Sequence, residues 1–564
     1  MDSARYVVDA LERAGVAHVV LAPGSRSAPL VYALAEAEAD GRLSTYVRID
    51  ERVAGFTALG LALGAEGPVA VVTTSGTAVG NLLPAVMEAN HAGTPLVVLS
   101  ADRPDELRGT GANQTTNQLD LFGEHVRFAT DVAAGIDPTA AISTALSAAR
   151  GRLVGIPAGP VQVNLAFRDP LTPALDGSEW ERLLPVVDAP GSDGGAAESV
   201  EPPETAMVLP STSHRTVVVA GHCAGPEAEY FARMLGLPLL AEPSSKARFG
   251  PNAIGPYRLL LENFGPQSSA PIERVVLFGR PTLSREISQL MANTGLERAL
   301  YLPTPVPWFE PGRRPELVLT QWDQLIGFAG TGPDGWLQTW QETAEQAEAA
   351  LEKVLAETPE TGTLAGQLVA RKLWDRAQQD PGSNLVLGSS NPVRDVDLAG
   401  SPALKNNARV FANRGLAGID GTVATATGVA LATHKPTRVL IGDLTFLHDS
   451  GALNIGSSEQ APPLDIVVLN DSGGGIFSVL EHGELAMAPD YEAAVERFFG
   501  TPHTVNLAAL AAAYGFSHTL VGTAAELEAA LAGPVDGRRV IEVAASRKGL
   551  RELHARIAAA LKFN

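Results

Sequence analysis

In the first third of the chain, short runs of β-branched and other apolar residues alternate with longer stretches whose apolar positions recur every three to four residues. The runs predict buried strands and the stretches predict helices. The predicted strands are residues 17–21, 46–49, 69–73, 96–99 and 161–165, and the predicted helices are 28–39, 53–63 and 79–89. This alternation is typical of a doubly wound α/β domain, which binds ligands beyond the carboxyl ends of its strands.

The same alternation occurs twice more along the chain. The predicted strands are 217–220, 237–240, 275–278 and 300–302 in the middle, and 385–387, 410–412, 439–441, 466–469 and 540–543 in the last part. We therefore predict an α/β fold of three doubly wound domains with mainly parallel sheets. The predicted bounds are 1–171 for the first domain, 172–212 for a linker rich in Pro, Gly and Ser, 213–330 for the central domain, 331–361 for a helical linker, and 362–564 for the third domain.

Composition supports several folded domains and excludes some partners. A chain of 564 residues exceeds what one hydrophobic core supports, and a hydrophobic content of 45% argues against disorder. The formal net charge of −21, with no Lys- or Arg-rich run, predicts no binding to nucleic acid. No apolar run reaches about 18 residues, so we expect no membrane span. The single cysteine excludes an internal disulfide, which fits a cytoplasmic enzyme.

Two predicted strands of the third domain end on acidic residues and glycines. One runs into Gly442-Asp443, and the other into Asn470-Asp471 and then a glycine-rich turn at 473–475. Carboxylates at neighbouring strand ends provide oxygen ligands for Mg²⁺, and such a turn provides backbone N–H groups for phosphate oxygens. Either motif alone is more often a helix cap or a simple turn. Together they predict an anchor for a metal-bound phosphate group.

The separation of the two motifs resembles that in the thiamine-diphosphate enzymes. Asp443 and Asp471 are 471 − 443 = 28 residues apart, close to the length of the family motif that starts Gly-Asp-Gly and ends Asn-Asn. The resemblance implies thiamine diphosphate as cofactor, with Asp443, Asp471 and the Gly473 carbonyl binding Mg²⁺, or alternatively Mn²⁺. The chain departs from the motif in two ways. Leucine follows Gly-Asp, and Asn470-Asp471 stands one residue further along than usual, so the second ligand is either Asn470 or Asp471.

The same resemblance implies further contacts to the cofactor. These enzymes need a glutamate against the aminopyrimidine ring, and Glu51, just after the predicted strand at 46–49, stands where the family has it. Taken alone, Glu51 is at least as well explained as an acid favoured by a helix start. Because Glu51 and the metal motif lie in different domains, the resemblance implies a homodimer or larger oligomer with active sites shared between subunits. The other implied cofactor contacts are Ile419, which would hold the cofactor bent, and Ser390, Leu444, Thr445, Gly474 and Ile476.

A second set of polar residues lies in loops that follow predicted strands. Arginine in such loops suits the bidentate binding of carboxylates. Each arginine taken singly could equally be a surface charge or the partner of an internal ion pair, but their concentration in ligand-binding loops of an acidic chain favours an anionic ligand. The set comprises Ser25, Arg26, Arg103, Asn113, Gln114, Arg394 and Arg414.

These loops resemble one branch of the family, the 2-succinyl-5-enolpyruvyl-6-hydroxy-3-cyclohexene-1-carboxylate synthases of menaquinone biosynthesis. The matching segments are 22–30, 74–82, 101–114, 413–421, 442–449 and 473–478, with a weaker match at 279–285. The resemblance implies decarboxylation of 2-oxoglutarate and addition of the remaining succinyl unit to isochorismate. The residues implied to contact the unit derived from 2-oxoglutarate are Ser390, Arg394 and Arg414. Those implied to contact isochorismate are Ser25, Arg26, Arg103, Asn113 and Gln114, with further substrate contacts from Arg285, Ile476 and Phe477.

Three other functions are open to a chain of this pattern. An acetohydroxyacid synthase would share Glu51 and the metal motif, but its substrate, pyruvate, gives no role to so many arginines. A catalytically silent cofactor-binding protein would be expected to lack the glutamate or the metal ligands. A dinucleotide-dependent oxidoreductase would need a Gly-x-Gly-x-x-Gly turn after its first strand, and residues 23–26 form no such turn.

Overall fold

The computed structural model describes residues 1–174, 210–358 and 362–562. These residues form three successive parallel sheets flanked by helices, which confirms the predicted α/β fold. Most of the predicted linker 172–212 lies outside the described residues, and the domain bounds stay predictions. In the described ranges no helix is both long and apolar enough to cross a membrane.

The first sheet contains six parallel strands. The strands are β1 (His18–Leu21), β2 (Ser44–Val47), β3 (Val69–Thr73), β4 (Leu96–Asp102), β5 (Ala129–Val132) and β6 (Val161–Ala166). Their order is β2-β1-β3-β4-β6-β5. The helices are α1 (Asp2–Arg13), α2 (Ala28–Ala39), α3 (Glu51–Ala65), α4 (Thr77–Gly80), α5 (Leu83–Ala92) and α6 (Thr139–Ala149). The single helix predicted at 79–89 is two helices, because Pro84 starts α5, where its missing N–H needs no partner.

The second sheet contains five parallel strands. The strands are β7 (Thr216–Ala220), β8 (Leu239–Ala241), β9 (Arg274–Phe278), β10 (Glu297–Tyr301) and β11 (Leu317–Leu319), in the order β11-β10-β9-β7-β8. The helices are α7 (Glu227–Leu235), α8 (Tyr257–Leu260), α9 (Arg285–Ala292), α10 (Trp322–Ala329) and α11 (Trp336–Ala356). Helix α11, predicted as a linker, buries Trp336 and Trp340 in the core of this sheet.

The third sheet again contains six parallel strands. The strands are β12 (Asn384–Leu387), β13 (Arg409–Phe411), β14 (Thr437–Gly442), β15 (Leu464–Asn470), β16 (Ser517–Val521) and β17 (Arg538–Ala544), in the order β13-β12-β14-β15-β17-β16. The helices are α12 (Gly366–Gln379), α13 (Asn391–Ala399), α14 (Thr422–Thr433), α15 (Asp443–His448), α16 (Ile476–Val479), α17 (Glu481–Leu485), α18 (Pro489–Val495), α19 (Leu507–Ala513), α20 (Ala524–Ala532) and α21 (Leu550–Ala560). Strands β14 and β15 are neighbours, so the two motifs that follow them lie side by side, as predicted.

Helices α3 and α14 join the first and third sheets in close contact. A Cβ atom on Gly60 would lie 2.0 Å from the Thr425 carbonyl oxygen, and one on Gly428 would lie 2.2 Å from the Thr57 carbonyl oxygen. The helices run parallel, since Phe56 faces Gly421 before this crossing. One apolar core continues across the contact and contains residues from both sheets.

We predict that Gly60→Ala lowers the free energy of unfolding by about 1–3 kcal/mol, because the added methyl group would force the two helix backbones apart. Urea unfolding followed by circular dichroism measures the effect. Gly327→Ala in α10 is the matched control, since a Cβ there meets nothing within 4 Å. Equal stability of the two variants would show that the close approach of α3 and α14 is dispensable.

Candidate active site

The residues predicted to bind the cofactor line one cavity of about 730 Å³ at the carboxyl ends of β14 and β15. Its size is typical of small-molecule sites. The predicted residues that it brings together are Ser390, Ile419, Asp443, Leu444, Thr445, Asp471, Gly473, Gly474, Ile476 and Phe477. The third domain therefore gathers its predicted cofactor and metal residues in one place, whereas Arg394 and Arg414, predicted to bind substrate, are not among the lining residues.

Two carboxylates face each other in this cavity. Asp443 is buried; its Oδ1 accepts a hydrogen bond from Leu444 N (2.6 Å) and its Oδ2 accepts one from Gly473 N (2.9 Å). Asp471 Oδ1 is buried without a hydrogen-bond partner. Burial, and then the charge of Asp443, raise the pKa of Asp471 to about 7. A buried carboxylate with an unpaired oxygen beside a second carboxylate is costly unless a cation lies between them, so these residues fit a divalent metal ion.

The side chain of Asn470 is already committed to other partners. Its Nδ2 donates to Glu542 Oε1 (2.7 Å), and its Oδ1 accepts from Ser472 N (3.1 Å). Glu542 is held in turn by His518, whose Nε2 lies 2.7 Å from Oε2. Asn470 therefore supports the turn, and the geometry favours Asp471 over Asn470 as the second metal ligand.

Protein side chains alone do not complete a metal site here. Among the residues that the structure describes, no group of three or more His, Cys, Asp and Glu could hold a metal ion. The Gly473 carbonyl, which accepts a bond from Gly475 N (3.2 Å), retains a second lone pair. A cation at this point would thus need oxygens from the backbone and from a bound ligand, as a diphosphate would supply.

Arg394 borders this cavity through Ser390, and the charge of Arg414 acts on Arg394. Arg394 Nη1 donates to the carbonyls of Ser389 (3.0 Å) and Ser390 (2.9 Å). Arg414 is buried, its Nη2 donates to Thr282 Oγ1 (3.0 Å), and its Nη1 has no hydrogen-bond partner. Burial lowers the pKa of both guanidinium groups, and the charge of Arg414 lowers the pKa of Arg394 further. The pair can therefore accept a buried anion.

The loop that carries Arg414 is held from two sides. The buried carboxylate of Glu88 in α5 accepts from Gly415 N (2.6 Å) and Leu416 N (2.7 Å). Arg280 of the central domain donates to the carbonyls of Arg414 and Gly415. Residues of all three sheets therefore fix this loop.

The predicted residues of the first domain form a separate cluster at the carboxyl ends of β1, β3 and β4. Arg103 Nη1 donates to Ser75 Oγ and to the Gln114 carbonyl, both at 2.7 Å. Gln114 Nε2 donates to the Ser75 carbonyl (2.8 Å), and Arg26 Nη1 donates to the Phe167 carbonyl (3.0 Å). Burial, and then the nearby charge of Arg26, lower the pKa of Arg103. Ser25 and Asn113 are exposed in the same loops.

Glu51 and Arg285 lie outside the cavity that contains Asp443. Glu51 is the first residue of α3, and its Oε2 accepts a hydrogen bond from Asn81 Nδ2 (3.2 Å). Arg285 is exposed and forms an ion pair with Glu481 (2.7 Å), so its predicted substrate role would require that pair to open. The structure of one chain thus does not bring Glu51 together with the predicted metal ligands.

Sequence reasoning missed several residues that touch the predicted ones, among them Ser75 and His503. Ser75 contacts both Arg103 and Gln114. It lies in segment 74–82, which resembles the family, but the resemblance did not identify Ser75 as a site residue. His503 lies 3.0 Å from Asp443. No motif marks His503, because it is 60 residues away from Asp443 in sequence.

Comparisons with known proteins agree with this geometry. Residues 1–121 match the family described as thiamine pyrophosphate enzyme, N-terminal TPP binding domain, and residues 398–543 match its C-terminal TPP binding domain. Curated proteins named 2-succinyl-5-enolpyruvyl-6-hydroxy-3-cyclohexene-1-carboxylate synthase are similar over the full chain. The protein from Renibacterium salmoninarum is 60% identical, covering 100% of this chain and 97% of its own. That from Arthrobacter sp. is 59% identical, covering 100% and 92%.

A solved structure shares the fold at low sequence identity. A benzoylformate decarboxylase from Polynucleobacter necessarius superposes with a TM-score of 0.66 and 17% identity, covering 97% of this chain and 99% of its own. At this identity the likeness supports the three-sheet architecture alone.

We predict that Asp471→Ala weakens Mg²⁺-dependent binding of thiamine diphosphate by about 10- to 100-fold or more. Loss of a residue that only contacts a metal ligand already has an effect of that size, and Asp471 is a proposed ligand itself. Asp471→Asn should retain most of the affinity, because its amide oxygen can still bind the metal. Isothermal titration calorimetry measures both. Asn470→Ala is the matched comparison, and a larger loss in that variant than in Asp471→Ala would assign the ligand to Asn470 instead.

Proposed function

Because the chain belongs to the 2-succinyl-5-enolpyruvyl-6-hydroxy-3-cyclohexene-1-carboxylate synthase family of thiamine-diphosphate enzymes, we propose that it decarboxylates 2-oxoglutarate and joins the remaining four-carbon unit to isochorismate by 1,4-addition. The products are CO₂ and the compound for which the family is named, an intermediate of menaquinone biosynthesis. The family match supports the proposed class of enzyme, and the site residues support the proposed substrates.

When bound, thiamine diphosphate would supply a nucleophilic carbon for the 2-oxoacid and an electron sink for loss of CO₂. Asp443, Asp471 and the Gly473 carbonyl would hold Mg²⁺ with the diphosphate, and Mn²⁺ would suit the same oxygen ligands. Glu51 would exchange a proton with the aminopyrimidine ring and is the proposed catalytic residue. Ile419 would pack against the cofactor.

The observation that supports the substrate proposal is the buried Arg414 Nη1 without a partner, whose charge acts on Arg394, the neighbour of the cavity-lining Ser390. A dicarboxylate such as 2-oxoglutarate would pair with these guanidinium groups. In the same proposal Ser390 contributes its hydroxyl group to that substrate. Ile476 and Phe477, which line the cavity, exclude water from the reacting carbon.

Isochorismate, which also carries two carboxylates, is assigned to the cluster of the first domain. The residues proposed to bind it are Ser25, Arg26, Arg103, Asn113 and Gln114, with Arg285 as a further contact. Since Glu51 and this cluster do not line the cavity of their own chain, we propose a homodimer or larger oligomer in which they complete the site of a partner subunit. The cytoplasmic location stays a prediction.

Purified protein mixed with thiamine diphosphate, Mg²⁺, 2-oxoglutarate and isochorismate should form the predicted product with release of one CO₂ per turnover. The measurement is CO₂ release together with mass spectrometry of the product. Glu51→Gln is the matched control: it should fold and bind cofactor but lose activity by orders of magnitude.

Two results would contradict this function. Release of CO₂ at the same rate without isochorismate would indicate a simple decarboxylase. Condensation of two pyruvate molecules would indicate an acetohydroxyacid synthase.

The two arginine clusters should respond to different substrates. Arg414→Ala should raise the KM for 2-oxoglutarate about 10- to 100-fold, since a hydrogen bond to a charged group contributes about 1.5–3 kcal/mol. Arg103→Ala should act in the same way on the KM for isochorismate. Steady-state kinetics with each substrate varied in turn measure the effects. Equal defects toward both substrates in both variants would refute the division of the site.

A further inference from the structure

His503 makes a contact with the metal site that the reaction proposed above does not account for. Its Nε2 lies 3.0 Å from Asp443 Oδ2, and its side chain is only 12% exposed. His503 follows the short helices α16, α17 and α18, which begin after Gly475, and the chain then returns to Asp443. The chain after these helices therefore places His503 against Asp443, the proposed metal ligand.

The backbone fixes which ring nitrogen of His503 carries the proton. Val505 N lies 3.3 Å from Nδ1. A backbone N–H can only donate, so Nδ1 accepts and the proton of the neutral ring is on Nε2. His503 Nε2 is therefore the donor and Asp443 Oδ2 the acceptor of this bond.

The donors around Asp443 leave a defined position open. Oδ2 accepts from Gly473 N and from His503 Nε2, and Oδ1 accepts from Leu444 N. A carboxylate has about four lone-pair positions, so these three bonds leave one, on Oδ1. Asp443 is thus oriented to bind a cation through a single oxygen.

Several contacts keep the returning segment against the metal-binding turn. Gly474 N donates to the Gly500 carbonyl (2.8 Å). Arg547 donates to the carbonyls of Asp471 (3.2 Å) and Ser472 (3.3 Å) and also pairs with Glu496 (2.9 Å). The stretch Glu496–Gly500 is π-helical, a rare form that often occurs at functional sites. The position of His503 is therefore determined by more than its own hydrogen bond.

We propose that His503 is a positioning residue of the metal site, which holds the Asp443 carboxylate so that Oδ1 is presented to the cation. The inference rests on the proposed function, because it takes Asp443 as a ligand of Mg²⁺. It assigns to His503 no direct contact with substrate or cofactor.

The test compares His503→Leu and His503→Gln in the full-length chain. The dissociation constant of Mg²⁺ at saturating thiamine diphosphate is measured by isothermal titration calorimetry, without either substrate. His503→Leu should weaken Mg²⁺ binding about 10- to 100-fold, as loss of outer-shell partners does. His503→Gln should recover most of the affinity, because its amide nitrogen can donate from nearly the same position.

The control is His434→Asn, which removes an exposed imidazole at the end of α14 and should leave Mg²⁺ binding unchanged. Thermal unfolding without cofactor should be the same for His503→Leu and the unmodified chain. Unchanged Mg²⁺ affinity in His503→Leu would overturn the proposal, as would tighter binding, which would mean that His503 competes with the metal. A loss that His503→Gln does not restore would also overturn it.

The outcome can be separated from that of the proposed reaction. An unmodified chain that binds Mg²⁺ and thiamine diphosphate but forms no product would remove the proposed reaction, and the affinities of the His503 variants would still decide this inference. A chain that binds no Mg²⁺ with thiamine diphosphate would overturn both.

Discussion

The close contact of α3 and α14 is the constraint on which the rest of the arrangement depends. At Gly60 and Gly428 each helix meets the backbone of the other, and a single methyl group there has no room. Because the helices run parallel, the start of α3, with Glu51, and the start of α14, after the loop with Arg414, lie at the same end of the contact. Asp449 strengthens that end by accepting from Val423 N (2.8 Å) and Ala424 N (3.0 Å). The contact thus determines the relative positions of the loops that precede α3 and α14.

Two unpaired polar groups near the cavity coincide with the proposed ligands. Most buried polar groups in folded proteins find a partner, so an unpaired one needs an explanation. Asp471 Oδ1 is unpaired where a cation would bind, and Arg414 Nη1 is unpaired where a carboxylate would bind. One is an acceptor without a donor and the other a donor without an acceptor. A ligand with a metal-bound diphosphate at one end and a carboxylate at the other would satisfy both.

The sequence predicted every central strand and three of the six edge strands, and it missed the other three edge strands for a physical reason. Strands buried on both faces are continuous apolar runs, and every predicted strand is present. The three strands that were not predicted, β5, β11 and β16, are each at the edge of a sheet and half exposed: β5 and β16 contain polar residues, and β11 is only three residues long. The proximity of the two motifs that follow β14 and β15 was predictable, because adjacent parallel strands end at the same edge of the sheet. The bond from His503 to Asp443 depends on how the helices between Gly475 and His503 fold back toward Asp443. No local sequence pattern predicts that path.

An acidic chain can still select anions, because the relevant charges are buried. A net charge of −21 acts mostly through solvent, where it is screened within about 8 Å at physiological ionic strength. Arg414 is instead buried and Arg394 half-buried, and burial lowers the pKa of each. The charges of Glu242, Glu88 and Asp397 oppose this effect on the pKa of Arg414, and those of Asp395 and Asp397 oppose it on the pKa of Arg394. A bound carboxylate would act in the same direction, so binding of the anion and the stability of the loop that carries Arg414 are expected to be coupled.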